Sequence, residues 1–254
     1  MSAPLLTVYS SFRQKVSGEK VMSDQPLKGK IAVVTGASRG LGRAMAISLA
    51  EAGASIACVG RNAEKLSETK ALLDKIGVES DTFICDVRYE DQVNDLEKQV
   101  SKRFGAIHIL VNNAGTAIRK NLIEFSLEEW NTVLDTNLTG VFLCSRAFVP
   151  HMKTYKWGRV INITSIMANV GSIGRAAYCA SKHGVLAITK SMALEHADDG
   201  INVVAISPGF YATDLTAPLR SDSSKSDDLL SNVPARRWGD PKEIGEIARF
   251  LCTD

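Results

Sequence analysis

The chain has no cysteine pair, no histidine cluster, no long run of one charge and no apolar stretch long enough to span a bilayer. Each absence removes a class. Cys58, Cys85, Cys144, Cys179 and Cys252 form no C-x-x-C pair and lie mostly in apolar stretches. Odd, scattered thiols argue against a disulfide framework and suit a reducing compartment. His108, His151, His183 and His196 show no metal-ligand spacing, so no metal centre is expected. A net charge of +2 without a basic or acidic block gives no nucleic-acid surface and no patch for anionic lipid. What remains is 254 residues, 45% hydrophobic and 23% charged. That is enough for one large α/β domain with a sizeable core.

Short apolar runs alternate with longer helical patterns. "KIAVVT" (30–35), "SIACV" (55–59), "DTFICDV" (81–87), "IHILVNNAG" (107–115), "GRVINIT" (158–164) and "INVVAIS" (201–207) read as strands. Helices are expected over 40–53, 63–76, 89–104, 126–152, 178–197 and 241–252. Near-continuous apolar strands separated by helices predict a doubly wound, Rossmann-type parallel sheet covered on both faces. One catalytic domain is expected over 27–254, with residues 213–240 as a polar insertion acting as a mobile lid. The first eighteen residues contain no acid and carry Arg13, Lys15 and several serines. Residues 1–26 therefore read as a disordered extension of a cytoplasmic protein, or alternatively as a mitochondrial presequence.

Two motifs carry chemistry. "TGASRGLG" (35–42) falls between the first strand and its helix. Gly36, Gly40 and Gly42 there let the backbone turn tightly and approach a pyrophosphate at a helix N-terminus. A tight turn alone is the other reading. Tyr178 and Lys182 are four apart, so a helix stacks them on one face. An adjacent ammonium favours the phenolate and draws a phenol toward acid–base work. A surface lysine beside a half-buried tyrosine is the alternative.

Taken with "NNAG" (112–115), Ser165 thirteen residues before Tyr178, and "SPGFYAT" (207–213), these motifs resemble the short-chain dehydrogenase/reductase family. The resemblance runs from about Leu27 to the end of the chain. It implies that Tyr178 exchanges a proton with the substrate oxygen and that Lys182 lowers its pKa and binds the nicotinamide ribose. It implies that Ser165 hydrogen-bonds the substrate oxygen. Asn137, in "DTNLTG", would hold a relay water, or else is only a polar residue bending a helix. The expected cofactor set is Gly36, Ser38, Arg39, Gly40, Leu41, Gly42, Arg61, Asn62, Asp86, Val87, Asn113, Ala114, Gly115, Tyr178, Lys182, Pro208, Gly209 and Thr213, with Asp86 at the adenine.

The second strand ends "CVGRN", with no acid at 60–62 to bond a ribose 2′-OH. Arg61 and Arg39 are available instead, which favours NADP(H). Either arginine alone could be a solvated surface charge. Within the family, "NNAGTAIRK" and "VPARRWGDP" look most like the gluconate 5-dehydrogenase and 2-deoxygluconate 3-dehydrogenase branch. The expected activity is interconversion of a secondary alcohol and a ketone on a small polyol or sugar acid such as gluconate or 5-ketogluconate. Arg119, with Lys120 beside it, Arg175 and Phe210 are the candidate substrate contacts. Arg119 could equally be a loop charge facing water. A β-ketoacyl thioester reductase and a non-catalytic NADP(H) sensor are the alternatives. The family assembles as homo-oligomers, a tetramer in the type expected here. It also continues past "IARFLCTD" into a further strand. The chain as it stands is therefore expected to leave "INVVAIS" at the sheet edge and to be poorly stable, at best dimeric and weakly active.

Overall fold

The computed structural model describes residues 25–254. The expected extension over 1–26 lies, up to residue 24, outside the described residues. The remainder forms one six-stranded sheet in the order β3-β2-β1-β4-β5-β6, with every neighbouring pair parallel. The strands are β1 Ile31–Thr35, β2 Ser55–Gly60, β3 Ser80–Ile84, β4 Ile109–Asn112, β5 Gly158–Ile163 and β6 Ile201–Ile206. All four residues of β4 and all six of β5 are buried. A central parallel strand meets helices on both faces, and this is why these segments are apolar throughout rather than alternating.

The helices are α1 Gly40–Glu51, α2 Ala63–Ile76, α3 Glu90–Phe104, α4 Leu127–Leu134, α5 Gly140–Tyr155, α6 Ala176–Glu195, α7 Ala217–Arg220, α8 Ser223–Ser231 and α9 Pro241–Cys252. Two cores lie on the two faces of the sheet. Ala32 and Val34 join Met45 and Leu49 of α1, Leu66 and Leu73 of α2, and Ile244 and Ala248 of α9. Val33, between them in sequence, points the other way, toward Val93 and Leu96 of α3 and Phe148 and Met152 of α5. Chain direction across the sheet reverses between β1 and β4, and a crevice opens at their C-terminal ends.

One expectation changes, and one segment gains detail. The helix over 126–152 is broken by a π turn at Asp135–Thr139, which joins α4 to α5. One extra residue in that turn redirects the side chains beyond the ordinary helical period, and such turns recur at functional sites. The insertion 213–240 contains α7 and α8 and is closed at its base. Gly239 donates to the Phe210 carbonyl (2.9 Å), Ala212 donates to the Gly239 carbonyl (2.9 Å), and Phe210 packs edge-on against Trp238. Among the described residues, β6 is an edge strand and no helix is long and apolar enough to cross a membrane.

Candidate active site

The glycine turn is built first. Gly36 and Gly40 adopt φ of +66° and +54°, a region that a residue bearing a Cβ avoids. A Cβ on Gly42 would fall on the Gly36 carbonyl oxygen. The turn is pinned from both sides. The Asn113 amide donates to the Thr35 (3.0 Å) and Gly36 (3.2 Å) carbonyls. The Arg43 guanidinium donates to the Ser38 carbonyl (2.6 Å) and the Thr69 hydroxyl (2.9 Å), and Thr69 donates to the Ala37 carbonyl (3.0 Å). Helix α1 then begins with no side-chain cap and no acid in its first turn. Its orphan N–H groups and dipole therefore remain free for an anion in the crevice. That uncapped start is what a dinucleotide pyrophosphate requires, so the chain fits such a cofactor.

One cleft runs from this turn to the catalytic candidates. Gly36, Ser38, Arg39, Gly40, Leu41, Arg61, Asp86, Val87, Asn113, Ala114, Gly115, Ser165, Tyr178, Lys182, Pro208, Gly209 and Thr213 all line it. Asn62 does not. Its side chain caps α2 instead, accepting from the Lys65 N–H (2.8 Å). Phe210 also stands outside the lining, turned onto Trp238, and its neighbour Tyr211 faces the cleft. Arg119 and Arg175 lie beyond the lining residues, at the Tyr178 end.

Tyr178 and Lys182 share a face of α6, and Ser165 reaches them from the end of β5. Burial pushes the Tyr178 phenol above its ordinary value, against a hydrogen bond from Ser165 and the positive charge of Arg175. The Arg175 guanidinium stands 5.6 Å from the Tyr178 ring centroid. Lys182 is 4% exposed, donates to the Ile163 carbonyl (2.7 Å), and is driven by burial to a pKa of about 8. The sequence expectation made Lys182 the cation that acts on the phenol. In this arrangement its ammonium donates to a backbone carbonyl and stands 5.8 Å from the Tyr178 ring centroid, so two cations, Lys182 and Arg175, flank the phenol.

Asn137 is fully buried in the π turn. Its amide accepts from the Thr116 N–H (2.8 Å) and donates to the Thr116 carbonyl (2.9 Å) and the Ser181 hydroxyl (3.0 Å). Ser181 in turn donates to the Tyr178 carbonyl (2.7 Å). Asn137 thus ties the cleft wall after β4 to the helix that carries Tyr178 and Lys182.

The charges divide unevenly. Burial alone would raise the Asp86 carboxyl, but hydrogen bonds and charge from Arg88 outweigh it and hold the carboxyl below its ordinary value. Arg88 grips it at 2.7–3.1 Å, and Arg61 stands 3.7 Å away. Arg39 pairs with Asp214 (3.2 Å). Lys120 is held by Glu129 (2.7 and 2.8 Å), so the expected Arg119–Lys120 pair is not a pair of free cations. Arg175 is the second cation near Arg119, and neither has an acidic partner among the described residues. Burial, and then repulsion from Arg119, lower the Arg175 pKa.

Sequence reading missed Arg43, Thr69, Arg88 and Ser181. Arg88 had a visible signal, an arginine two residues after the strand-end aspartate. The others act through contacts 26 to 44 residues distant in sequence, which no local pattern reveals.

A family model described as short chain dehydrogenase matches residues 30–224. A 3-oxoacyl-(acyl-carrier-protein) reductase of Staphylococcus epidermidis is 40% identical over 228 residues, covering 89% of this chain and 92% of that one. A 2-dehydro-3-deoxy-D-gluconate 5-dehydrogenase of Escherichia coli strain K12 is 40% identical over 234 residues, covering 92% of each. The crystal structure of a gluconate 5-dehydrogenase from Burkholderia cenocepacia J2315, in complex with NADP and tartrate, superposes with a TM-score of 0.86 at 36% identity, covering 91% of each chain. The glycine turn, the Ser165–Tyr178–Lys182 grouping and these matches agree, and the chain belongs to the short-chain dehydrogenases, NAD(P)-dependent oxidoreductases that act on CH–OH and carbonyl groups.

Proposed function

We propose that the protein interconverts a ketone and a secondary alcohol on a small sugar acid or polyol acid, using NADP(H). The observation that carries this reading is the pair Arg119 and Arg175. Two guanidiniums without acidic partners stand at the Tyr178 end of the cleft. Arg175 is partly buried and Arg119 is exposed beside it; an unpaired, partly desolvated cation is costly unless an anion arrives, and a planar guanidinium matches a carboxylate. A sugar acid brings a carboxylate to this end together with a carbonyl for Tyr178.

In this reading the nicotinamide supplies or accepts the hydride when bound. The turn at Gly36–Gly42 and the start of α1 hold the pyrophosphate, and Asp86 with Val87 holds the adenine. Asn113, Ala114 and Gly115 form one wall, and Pro208, Gly209 and Thr213 the other. Arg39 and Arg61 hold the 2′-phosphate, supported by the absence of an acid at the end of β2. Ser165 hydrogen-bonds the substrate oxygen, and Tyr178 exchanges the proton. Lys182 holds the ribose and keeps a positive charge below Tyr178. Asn137 steadies the first turns of α6, which carry Tyr178, through Ser181. The protein works as a homo-oligomer, and Phe142 on α5 and Leu194 on α6, 47% and 83% exposed, support a subunit contact there.

A 3-oxoacyl thioester reductase is the second reading, favoured by relatives at the same 40% identity. The two differ in charge. A thioester has no carboxylate for Arg119 and Arg175. Turnover of 5-ketogluconate and of a short 3-oxoacyl thioester should be measured with wild type, Arg175→Ala and a Tyr178→Phe control. Arg175→Ala should raise KM for the acid about 10- to 100-fold, the equivalent of one charge-assisted bond, and leave KM for the thioester unchanged, while any loss of kcat through the Tyr178 phenol is shared by both substrates. Turnover of the thioester alone would replace the first reading with the second. A Tyr178→Phe variant that kept more than about a tenth of the rate would remove Tyr178 from the proton step.

A further inference from the structure

We propose that Asp214 sets how strongly this site distinguishes NADP(H) from NAD(H), acting through Arg39. The inference rests on the reading of Arg39 as a ligand of the 2′-phosphate.

The two candidate phosphate cations are not in the same condition. Arg61 lies 3.7 Å from Asp86, a carboxylate already gripped by Arg88, so Arg61 has only a share of that charge. Arg39 has a carboxylate to itself. Its Nη1 is 3.2 Å from Asp214 Oδ2, and no other cation is paired with Asp214 among the described residues. Both side chains line the cofactor cleft. Packing as well as charge brings them together. A Cβ built on Gly40 would stand 3.4 Å from the Thr213 side chain, so the glycine turn and the strand-end segment bearing Asp214 touch next to the ion pair. Thr213 is itself fixed, its N–H donating to the Thr216 hydroxyl (3.0 Å).

Asp214 therefore stays beside the turn whether or not it holds Arg39. A 2′-phosphate must draw Arg39 away from Asp214 before the guanidinium can hold it. A 2′-hydroxyl makes no such demand. Asp214 thus opposes the phosphorylated cofactor alone. Both partners are about half exposed, with side-chain exposures of 56% and 52%, so the opposition is modest.

Dissociation constants for NADPH and NADH should be measured by fluorescence titration on wild type, Asp214→Asn, Asp214→Glu, Arg39→Ala and the Arg39→Ala/Asp214→Asn double variant. Asp214→Asn should bind NADPH about two- to fivefold more tightly, the range of an exposed ion pair, with NADH unchanged. The gain should vanish in the Arg39→Ala background and shrink at high salt. Asp214→Glu should behave as wild type. Equal tightening of both cofactors, or a gain that survives Arg39→Ala, would overturn the proposal. If Arg39→Ala weakens NADPH but Asp214→Asn does not strengthen it, this proposal fails and the NADP reading stands. If Arg39→Ala leaves NADPH unchanged, the cofactor reading falls and takes this inference with it.

Discussion

Lys182 is almost fully buried, with one hydrogen bond, to the Ile163 carbonyl, and no acid to balance it. Desolvation disfavours the charged form, and its pKa falls from 10.5 to about 8. The consequence for stability has a definite sign. Below about pH 8 both native and unfolded chains carry the proton, and the cost of burying the charge is fully present. Between about 8 and 10.5 the unfolded chain keeps its proton and the native chain does not, so this residue makes stability rise with pH. The span is worth about 3 kcal/mol at most. Buried Cys58 and Cys252, each pushed to about 12, and Cys85, pushed to about 11, act in the opposite direction above pH 9. They cancel when wild type is compared with Lys182→Met. At pH 7 the variant should be the more stable, less about 1 kcal/mol for the lost hydrogen bond to Ile163. Denaturant melts at pH 7, 8, 9 and 10 should show that advantage shrinking as pH rises. A gap that stays constant would mean that burial does not shift Lys182. A residue costly to the fold and kept at the centre of the site is one whose position serves chemistry.

Helices α1 and α9 pack closely because α9 has a glycine where they meet. A Cβ on Gly245 would stand 2.8 Å from the Ala44 carbonyl oxygen and overlap the Ser48 hydroxyl. The obstacle is backbone, which cannot turn aside as a side chain can. Gly245→Val should therefore destabilise the protein by about 1–3 kcal/mol through overpacking. Thermal melts should fall by about 2–4 °C for each of those kcal/mol. An unchanged melt would show that α9 can slide freely on α1. The same elements show what sequence makes legible. β4 and β5 were readable because a strand buried on both faces must be apolar throughout. Helix α9 was expected over 241–252, and the structure shows its start closed by a capping box of Asp240 and Glu243 with Pro241 in the first turn. The π turn at Asp135–Thr139 was not, since inserting one residue into a helix changes no residue type. The role of Gly245 was not legible either, because its reason lies two hundred residues earlier in α1. In the cleft, the glycine turn, Ser165, Tyr178 and Lys182 were legible as spacings. The pairing of Arg39 with Asp214, the release of Phe210 onto Trp238 and the partnership of Arg175 with Arg119 depend on where distant loops meet.

Across the whole molecule, the cofactor cleft joins parts that the sheet alone does not bind together. The glycine turn, the end of β2, the wall after β4, helix α6 and the segment after β6 all face it. A ligand that fills it must stabilise the native state as a unit, since the unfolded chain has no such cleft. At a hundred times its dissociation constant the gain is about 2.7 kcal/mol. For a chain of this length that corresponds to a rise of about 5–11 °C in melting temperature. On the proposed function, NADPH should give the larger rise and NADH, at equal concentration, a smaller one. The excess belongs to the 2′-phosphate, and it should disappear in the Arg39→Ala/Arg61→Ala double variant while the response to NADH persists. That variant removes two exposed side chains, 56% and 65% accessible, so its melt without cofactor should match wild type within about 1 kcal/mol. Scanning calorimetry with each cofactor on both proteins measures all four rises. If the double variant keeps the NADPH excess, the phosphate is held by other residues and the cofactor assignment through Arg39 and Arg61 is wrong.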